Sequence, residues 1–418
     1  MSVIVEPCKA SPELLAQLAS LISHQKSTTR PLQGTGEYYI IDYVQKSESA
    51  WILFAHKEQQ EDEQYVIKIL CHYSDKRYHL DLLSRRQHCQ KEALTCNSIF
   101  SPDVYVGLAN AYHLQIQQKR IITSHPTHQL DTLDPYTEYA LIMRRLPSED
   151  RLDFLLENSN EKGLQQYIYH LVRRIVDIHN ESPALSAEES EKWGSFPKLK
   201  QKLEHNISLA DPLFGDDRHS SSLHKHFLRL GNNLQQISEL YPYAEFFAQR
   251  VKQGHIKHCH GDLKGPNIWI GRHAFTESYK VAILDAIDFN PMYSKIDTLS
   301  DFATLVIDIQ TRLRCTDFAR SLVQQMIKQY LEATQQSGDK TALIVLYYYL
   351  IEKAFVGATI SIVYDDMPQL GKFFLDVAEA CWHDFFDWRL IAADDTTHSA
   401  EIYAMAHLQR CAPGCIEV

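Results

Sequence analysis

The reading turns on His260-Gly261-Asp262-Leu263-Lys264-Gly265-Pro266-Asn267. Asp262 and Asn267 place a carboxylate and an amide in one short loop. A carboxylate can accept a proton from a hydroxyl or align it for attack. An amide oxygen is a ligand for a hard cation. Gly261 supplies the backbone freedom that a tight turn requires. A helical pattern precedes the loop, and the apolar, strand-like Ile268-Trp269-Ile270 follows it. Transfer of a phosphoryl group from ATP needs these two groups and few others. A second carboxylate must hold Mg2+, a lysine must hold the non-transferred phosphates, and a carboxylate must hold that lysine.

Downstream, Leu284-Asp285-Ala286-Ile287-Asp288-Phe289-Asn290-Pro291 offers the second carboxylate. Asp285 ends the apolar run Val281 to Leu284, where a strand would deliver it, and is the first choice for the metal. Asp288 is the second choice and is expected close by; the long segment from Gly271 to Lys280 keeps counting from deciding between them. Asp301, in Ser300-Asp301-Phe302-Ala303, reads as a structural brace for the loop.

Upstream, Pro12 to Ser23 predicts a short helix followed by a polar linker. Tyr38 to Val44, Ala50 to Ala55 and Tyr65 to Leu70 are aromatic and β-branched, as strands are. The charged stretch Lys57 to Gln64 is expected as an exposed hairpin loop. Lys68 is the one charge in its strand, and Glu92 lies near the middle of a helix expected from Ser84 to Ile99. A further strand pair should end in Tyr139 to Met143. After Pro147 the pattern turns helical, with Leu164, Ile168, Leu171, Val172 and Ile175 at helix spacing. Residues 183 to 225 look like a polar insertion with short helices. The fold class is therefore α+β: an antiparallel β-rich first part with one helix, then a mainly helical second part.

His-Gly-Asp-Leu-x-x-x-Asn resembles the catalytic loop of the aminoglycoside phosphotransferase and choline kinase group. The sequence is most similar to an uncharacterised bacterial family in which such a domain is often fused to a P-loop ATP-binding domain. Arg85 to Glu92 running on to Ser101-Pro102-Asp103-Val104-Tyr105, Met143-Arg144-Arg145-Leu146-Pro147, and Leu284 to Pro291 resemble three further segments of that family. The likeness spans roughly residues 35 to 380, and no Gly-x-x-x-x-Gly-Lys-Ser/Thr occurs. It implies a bilobal protein kinase-like fold: N-terminal helix and linker at 1–34, N-lobe at 35–146, C-lobe at 147–395 with its insertion at about 183–225, and a tail at 396–418. It also implies that Lys68 holds the α- and β-phosphates with Glu92 as its brace, and that adenine bonds to backbone near Leu141 to Met143. The phosphates would be covered either by Gly34-Thr35-Gly36 or by the loop from Val44 to Ser49 through Ser47 or Ser49. Lys264 departs from the histidine common in aminoglycoside enzymes and has the spacing of Ser/Thr protein kinases. It is either a solvated lysine or a group that offsets charge on the γ-phosphate.

Composition fits a globular nucleotide enzyme. The net charge of -11 argues against a duplex nucleic-acid partner. Nine cysteines, an odd count in a long chain, do not suggest a disulfide scaffold. Cys411 and Cys415 form the one close pair and read as part of an incidental tail. The most apolar stretch, Ala342 to Ile351, is about half a membrane span, so no crossing is expected. With no signal peptide apparent, a cytoplasmic location is expected, though export by a signal-independent route would leave no mark. The expected function is an ATP- and Mg2+-dependent kinase (Mn2+ could serve) acting on a hydroxyl of a small molecule or a protein. A nucleotide-binding module without catalysis and a nucleotidyl (AMP) transferase are the alternatives; intact Asp262 and Asn267 count against the first.

Overall fold

Strand periodicity builds the first part of the chain. In β2 (Glu37–Lys46) Tyr39 and Ile41 are buried, a bulge follows Ile41, and Val44 then continues the buried face. In β3 (Ala50–Lys57) Trp51, Leu53 and Ala55 face the core, as do Tyr65, Ile67 and Ile69 in β4 (Gln60–Leu70). Lys68, between two inward residues, therefore lies on the opposite face. The computed structural model describes residues 7–23, 36–47, 49–73, 79–214, 221–239, 243–272, 279–363 and 365–392. Gly34 and Thr35, Asp216 to His219, and the Cys411–Cys415 pair lie outside them.

The chain divides into two units, one of residues 3–147 with 282–290, the other of residues 148–281 with the chain from Pro291 onward. The first unit opens with β1 (Cys8–Lys9) and α1 (Pro12–Ser23). After β4 come α2 (Leu83–Phe100), β5 (Tyr105–Gln115), β6 (Arg120–Thr123) and β7 (Glu138–Arg144). The strand order is β1-β2-β3-β4-β7-β5-β6, all antiparallel pairings, and β6 pairs back onto β2 from Glu37↔Thr123 to Ile40↔Arg120. Six strands thus close into a ring, which removes most of the open edge that a small sheet would carry. Leu15, Leu18 and Ile22 of α1 join the core made by the inward residues of β2 to β4. Buried Arg86 ties α2 to β7 through Glu138, with Nη2 2.6 Å from Oε1.

Two expectations need correction here. Lys57 to Gln64 is an exposed hairpin, but it is mostly strand and not loop: β3 runs to Lys57 and β4 starts at Gln60, with a register irregularity that leaves Glu61 to Glu63 without ladder partners. The expected strand pair before Met143 is three strands, because Tyr105 to Thr123 forms its own hairpin.

The second unit begins with α3 (Leu152–Asn158), α4 (Glu161–Glu181), α5 (Ala187–Gly194), α6 (Phe196–Phe214), α7 (Ser221–Glu239) and α8 (Tyr243–Lys252). Among the described residues, 183 to 225 therefore hold the short α5 but also the nineteen-residue α6 and the start of α7, longer than the short helices expected there. Their apolar stripe is thin in sequence, but Leu223, Phe227, Leu230 and Leu234 recur at helical spacing and are buried. Short strands β8 (Ile256–His258), β9 (Ile268–Arg272) and β10 (Tyr279–Ile283) follow. Then come the single turn α9 (Pro291–Ser294), β11 (Lys295–Asp297), α10 (Thr298–Arg312), α11 (Asp317–Ala333), α12 (Lys340–Val363) and α13 (Pro368–Ala392).

At 24 residues α12 outruns the apolar stretch expected from Ala342 to Ile351. Among the described residues it is the helix long and apolar enough to cross a membrane, but 72% of that window is buried within the fold. It packs against α6, α10 and α13, and Phe227 of α7 stacks on Phe355 at 4.5 Å. A helix buried on most of its faces, with Glu352 its buried acid, reads as the centre of a helical core.

β8 and β11 pair antiparallel, and Asp297 at the end of β11 does two things. Its Oδ1 accepts the Leu299 N–H and so caps α10, and its carboxylate holds Arg250 of α8 with Nε–Oδ2 2.6 Å and Nη2–Oδ1 2.7 Å. Both side chains are buried. Asp297→Ala would leave a buried guanidinium unpaired and α10 uncapped. Urea unfolding of the full chain should show a loss of about 3–5 kcal/mol. A loss below about 1 kcal/mol would show that the pair is not structurally important.

Candidate active site

In the second unit, β8 delivers the chain into His260–Asn267. Buried Asp301, in the first turn of α10, accepts the His260 N–H at 3.0 Å and the Gly261 N–H at 2.8 Å. Gly261 has φ +83, which glycine adopts without strain. Asp301 Oδ2 also meets His179 Nε2 of α4 at 3.2 Å, and His179 Nδ1 meets Tyr330 Oη at 2.8 Å. Burial pushes the Asp301 carboxyl up, but the hydrogen bond and charge of His179, the charge of His260 and the Gly261 N–H together hold it below the usual carboxylate range. His179, Cys259 and Asp301 form a buried group of metal-ligand types. Both imidazole nitrogens and the carboxylate already have protein partners, and Cys259 Sγ approaches Ile296 O at 3.5 Å, so the group reads as a brace.

The loop's own side chains converge. Lys264 Nζ lies 2.8 Å from Asp262 Oδ2, and Asn267 Nδ2 donates to Asp262 O at 3.0 Å and to Asp262 Oδ2 at 3.1 Å. Asp262 and Lys264 are partly exposed, and Asn267 is buried. Gly265 to Asn267 forms one turn of 3-10 helix, closed by the Asn267 N–H on Lys264 O at 2.9 Å.

In the first unit, residues 282–290 lie with the sheet and α2. Ser101 Oγ both accepts the Ile283 N–H at 2.7 Å and donates to Ile283 O at 3.0 Å. Asn97 Oδ1 accepts the Ala286 N–H at 2.8 Å, and Tyr105 Oη accepts the Asp285 N–H at 3.2 Å. These bonds hold Asp285 at φ +62, a left-handed conformation uncommon outside glycine. Lys68 Nζ is 3.6 Å from Asp285 Oδ1. The Asp285 carboxylate raises the Lys68 pKa, burial opposes this, and Asp288 adds to the rise. Burial pushes Asp288 up to about 6; Lys68 lowers it, while Asp285 and Glu92 raise it.

The structure thus groups Asp262, Lys264 and Asn267 in one unit, and Lys68, Asp285 and Asp288 in the other. Glu92 is placed differently from expectation. Among the described residues the ion pair of Lys68 is with Asp285, and the Glu92 charge is felt instead at Asp288 and Cys96. Leu141 and Met143 are also corrected as backbone partners for adenine. β7 is an interior strand, with Leu141 opposite Lys68 and Leu108 and Met143 opposite Val66 and Tyr105, so the ladders engage its backbone on both sides. Ser47 closes the β2–β3 turn: its Oγ accepts the Ala50 N–H at 3.0 Å and donates to Ala50 O at 3.1 Å. Ser49 O accepts the Cys71 N–H at 2.9 Å. The turn is tight, and the Ser47 hydroxyl belongs to it and is not a free phosphate ligand. His179, Asn97, Ser101, Tyr105 and Asp308 are the structural partners that sequence reasoning missed. A histidine on the buried stripe of α4 was the available signal for His179.

No family model matches the sequence, and no curated protein matches it. Among solved structures it is similar to an ethanolamine kinase of Plasmodium vivax, at 13% identity and TM-score 0.43, over 82% of this chain and 81% of that one. It is also similar to the aminoglycoside phosphotransferase APH(2'')-IIIa solved with GDP and kanamycin, at 11% identity and TM-score 0.47, over 87% of this chain and 98% of that one. For the ADP-bound aminoglycoside phosphotransferase APH(2'')-Ib the values are 12% and 0.39, over 96% and 97%.

The raised Asp288 pKa has a consequence for metal-free protein. Its folded value, about 6, lies above the ordinary 3.8. The folded state then binds more protons between those values, so this group's contribution to stability is full below 3.8 and is lost as pH rises through about 6. Asp288→Asn should therefore gain on wild type between pH 5 and pH 8, by on the order of 2 kcal/mol in urea unfolding with EDTA present. Parallel pH profiles for the two proteins would show that Asp288 ionises normally.

Proposed function

We propose that this chain is a phosphotransferase that moves the γ-phosphate of ATP to a hydroxyl, with Mg2+ or Mn2+ as the cation. The observation that carries the reading is the convergence on one carboxylate oxygen: Asp262 Oδ2 takes both Lys264 Nζ and Asn267 Nδ2, on a loop whose backbone is held by a buried aspartate. On this reading the two units are the lobes of a protein kinase-like fold, expected from the sequence at 35–146 and 147–395 but with residues 282–290 in the first. The acceptor is a small molecule or a protein.

Asp262 aligns the acceptor hydroxyl and takes its proton. Lys264, beside Asp262, offsets charge on the group in transfer. Lys68 holds the non-transferred phosphates and releases Asp285 to the cation. The donor types fit a hard cation. Asn267 Nδ2 is engaged by Asp262, and its Oδ1 is the atom that could serve a cation. Asp285 is exposed, and Asp288, with its proton affinity raised in part by Asp285, would be relieved by a positive charge. Such an all-oxygen set suits Mg2+ or Mn2+. A bound cation would supply positive charge against that developing on the transferred group.

The test is ATP turnover with a cell extract, using ATP labelled at the α- or the γ-phosphate. Label from the γ position alone should reach the product, and EDTA should abolish transfer until Mg2+ or Mn2+ is restored. Asp262→Ala should lower kcat about 10^3-fold. Lys68→Ala should lower kcat/KM for ATP about 10^2-fold. Transfer of α-label would indicate nucleotidyl transfer instead, and full turnover by Asp262→Ala would overturn the catalytic assignment.

A further inference from the structure

α10 carries two aspartates two helical turns apart, Asp301 and Asp308, and both reach the backbone of the His260–Asn267 loop. That spacing puts them on one face of the helix, roughly 10 Å apart along its axis. Asp301 takes the N–H groups at the start of the loop. Asp308 Oδ2 takes the Gly265 N–H at 2.6 Å, at the start of the 3-10 turn.

An Asp and an Arg four apart on a helix usually make an exposed surface pair of small value. This pair is otherwise. Arg312 Nε lies 3.0 Å from each carboxylate oxygen of Asp308, a longer contact than the one to Gly265, and both side chains are largely buried. Burial raises the Asp308 pKa, while Arg312, the Gly265 N–H and the Lys264 charge lower it. The loop is pressed onto this pair. A Cβ at Gly265 would stand 3.1 Å from Asp153 N and 3.2 Å from Arg312 Nε, so the close approach favours glycine. Because Asn267 N–H bonds Lys264 O, Lys264 to Asn267 moves as one turn whose anchor is Gly265.

We propose that Asp308, backed by Arg312, is a positioning residue of the transfer reaction: it fixes the backbone at Gly265 so that Lys264 Nζ stays on Asp262 Oδ2. The inference rests on the phosphotransferase reading and extends it to a residue that touches neither nucleotide nor acceptor. Asp301 sets the direction of Asp262 from one end of the loop, and Asp308 sets Lys264 and Asn267 from the other.

The experiment is a double-mutant cycle in the full chain, with amide hydrogen exchange at Gly265 as a second readout. Asp308→Ala removes the acceptor, and Asp308→Leu removes it while nearly keeping the volume if the alanine variant folds poorly. In either, Gly265 exchange should quicken about ten-fold or more. kcat should fall about ten-fold with KM for ATP unchanged, and in a Lys264→Ala background the loss should shrink below about two-fold. Equal losses in both backgrounds, or unchanged Gly265 exchange, would overturn the positioning role while leaving phosphotransfer intact. No turnover by the wild-type protein would overturn the phosphotransferase reading and this inference with it.

Discussion

A buried carboxylate, Asp301, holds the start of the His260–Asn267 loop in place. Asp301 is fully removed from solvent, where a lone charge would be very costly. It is tolerated because two loop N–H groups and His179 converge on it. Those bonds turn the chain at Gly261, and the turn determines how Asp262 leaves the backbone. His179 is in turn oriented by Tyr330, so the brace reaches from α10 through α4 to α11. The helical core therefore acts on the chemistry through a few short polar contacts, not through apolar packing alone.

The other unit uses the same logic with neutral groups. Asn97, Ser101 and Tyr105 satisfy the backbone of residues 283–286, and their bonds hold Asp285 in a conformation that an isolated chain would rarely visit. The Lys68 ammonium then has a carboxylate near it, and burial makes Asp288 keep its proton to a higher pH than an ordinary carboxyl. In both units, the candidate site residues are held by residues outside the candidate set.

Much of this was legible in the sequence where the signal is local. The loop declares itself by residue type and spacing, and Lys68 stands out as one charge among apolar neighbours. Asp285 is marked by the strand that ends before it. What depends on distant pairing was not legible. The β2–β6 pairing joins segments about eighty residues apart, and neither strand carries a mark of it. The α6–α7 region reads as polar because its apolar stripe is thin, and only Phe355 and its neighbours on α12 reveal that the stripe is buried. The pairing of β7 on both sides is not legible at Leu141 and Met143, because a strand's neighbours cannot be read from its own residues. Asp308 was recognisable in principle: a second acid on the buried face of α10, in phase with the first, demands a partner.

The N-terminal unit is not a contiguous piece of chain: it includes residues 282–290. Asp285 thus belongs to the sheet that carries Lys68 but is encoded far downstream of it. A gene fragment ending at Pro147 would encode the strands and α2 yet lack the carboxylate that pairs with Lys68. During synthesis, the first unit must likewise wait for most of the second to emerge before this half of the site can form. Recombination that exchanged either unit as a simple cassette would split Lys68 from Asp285. The two parts are therefore constrained to be inherited together.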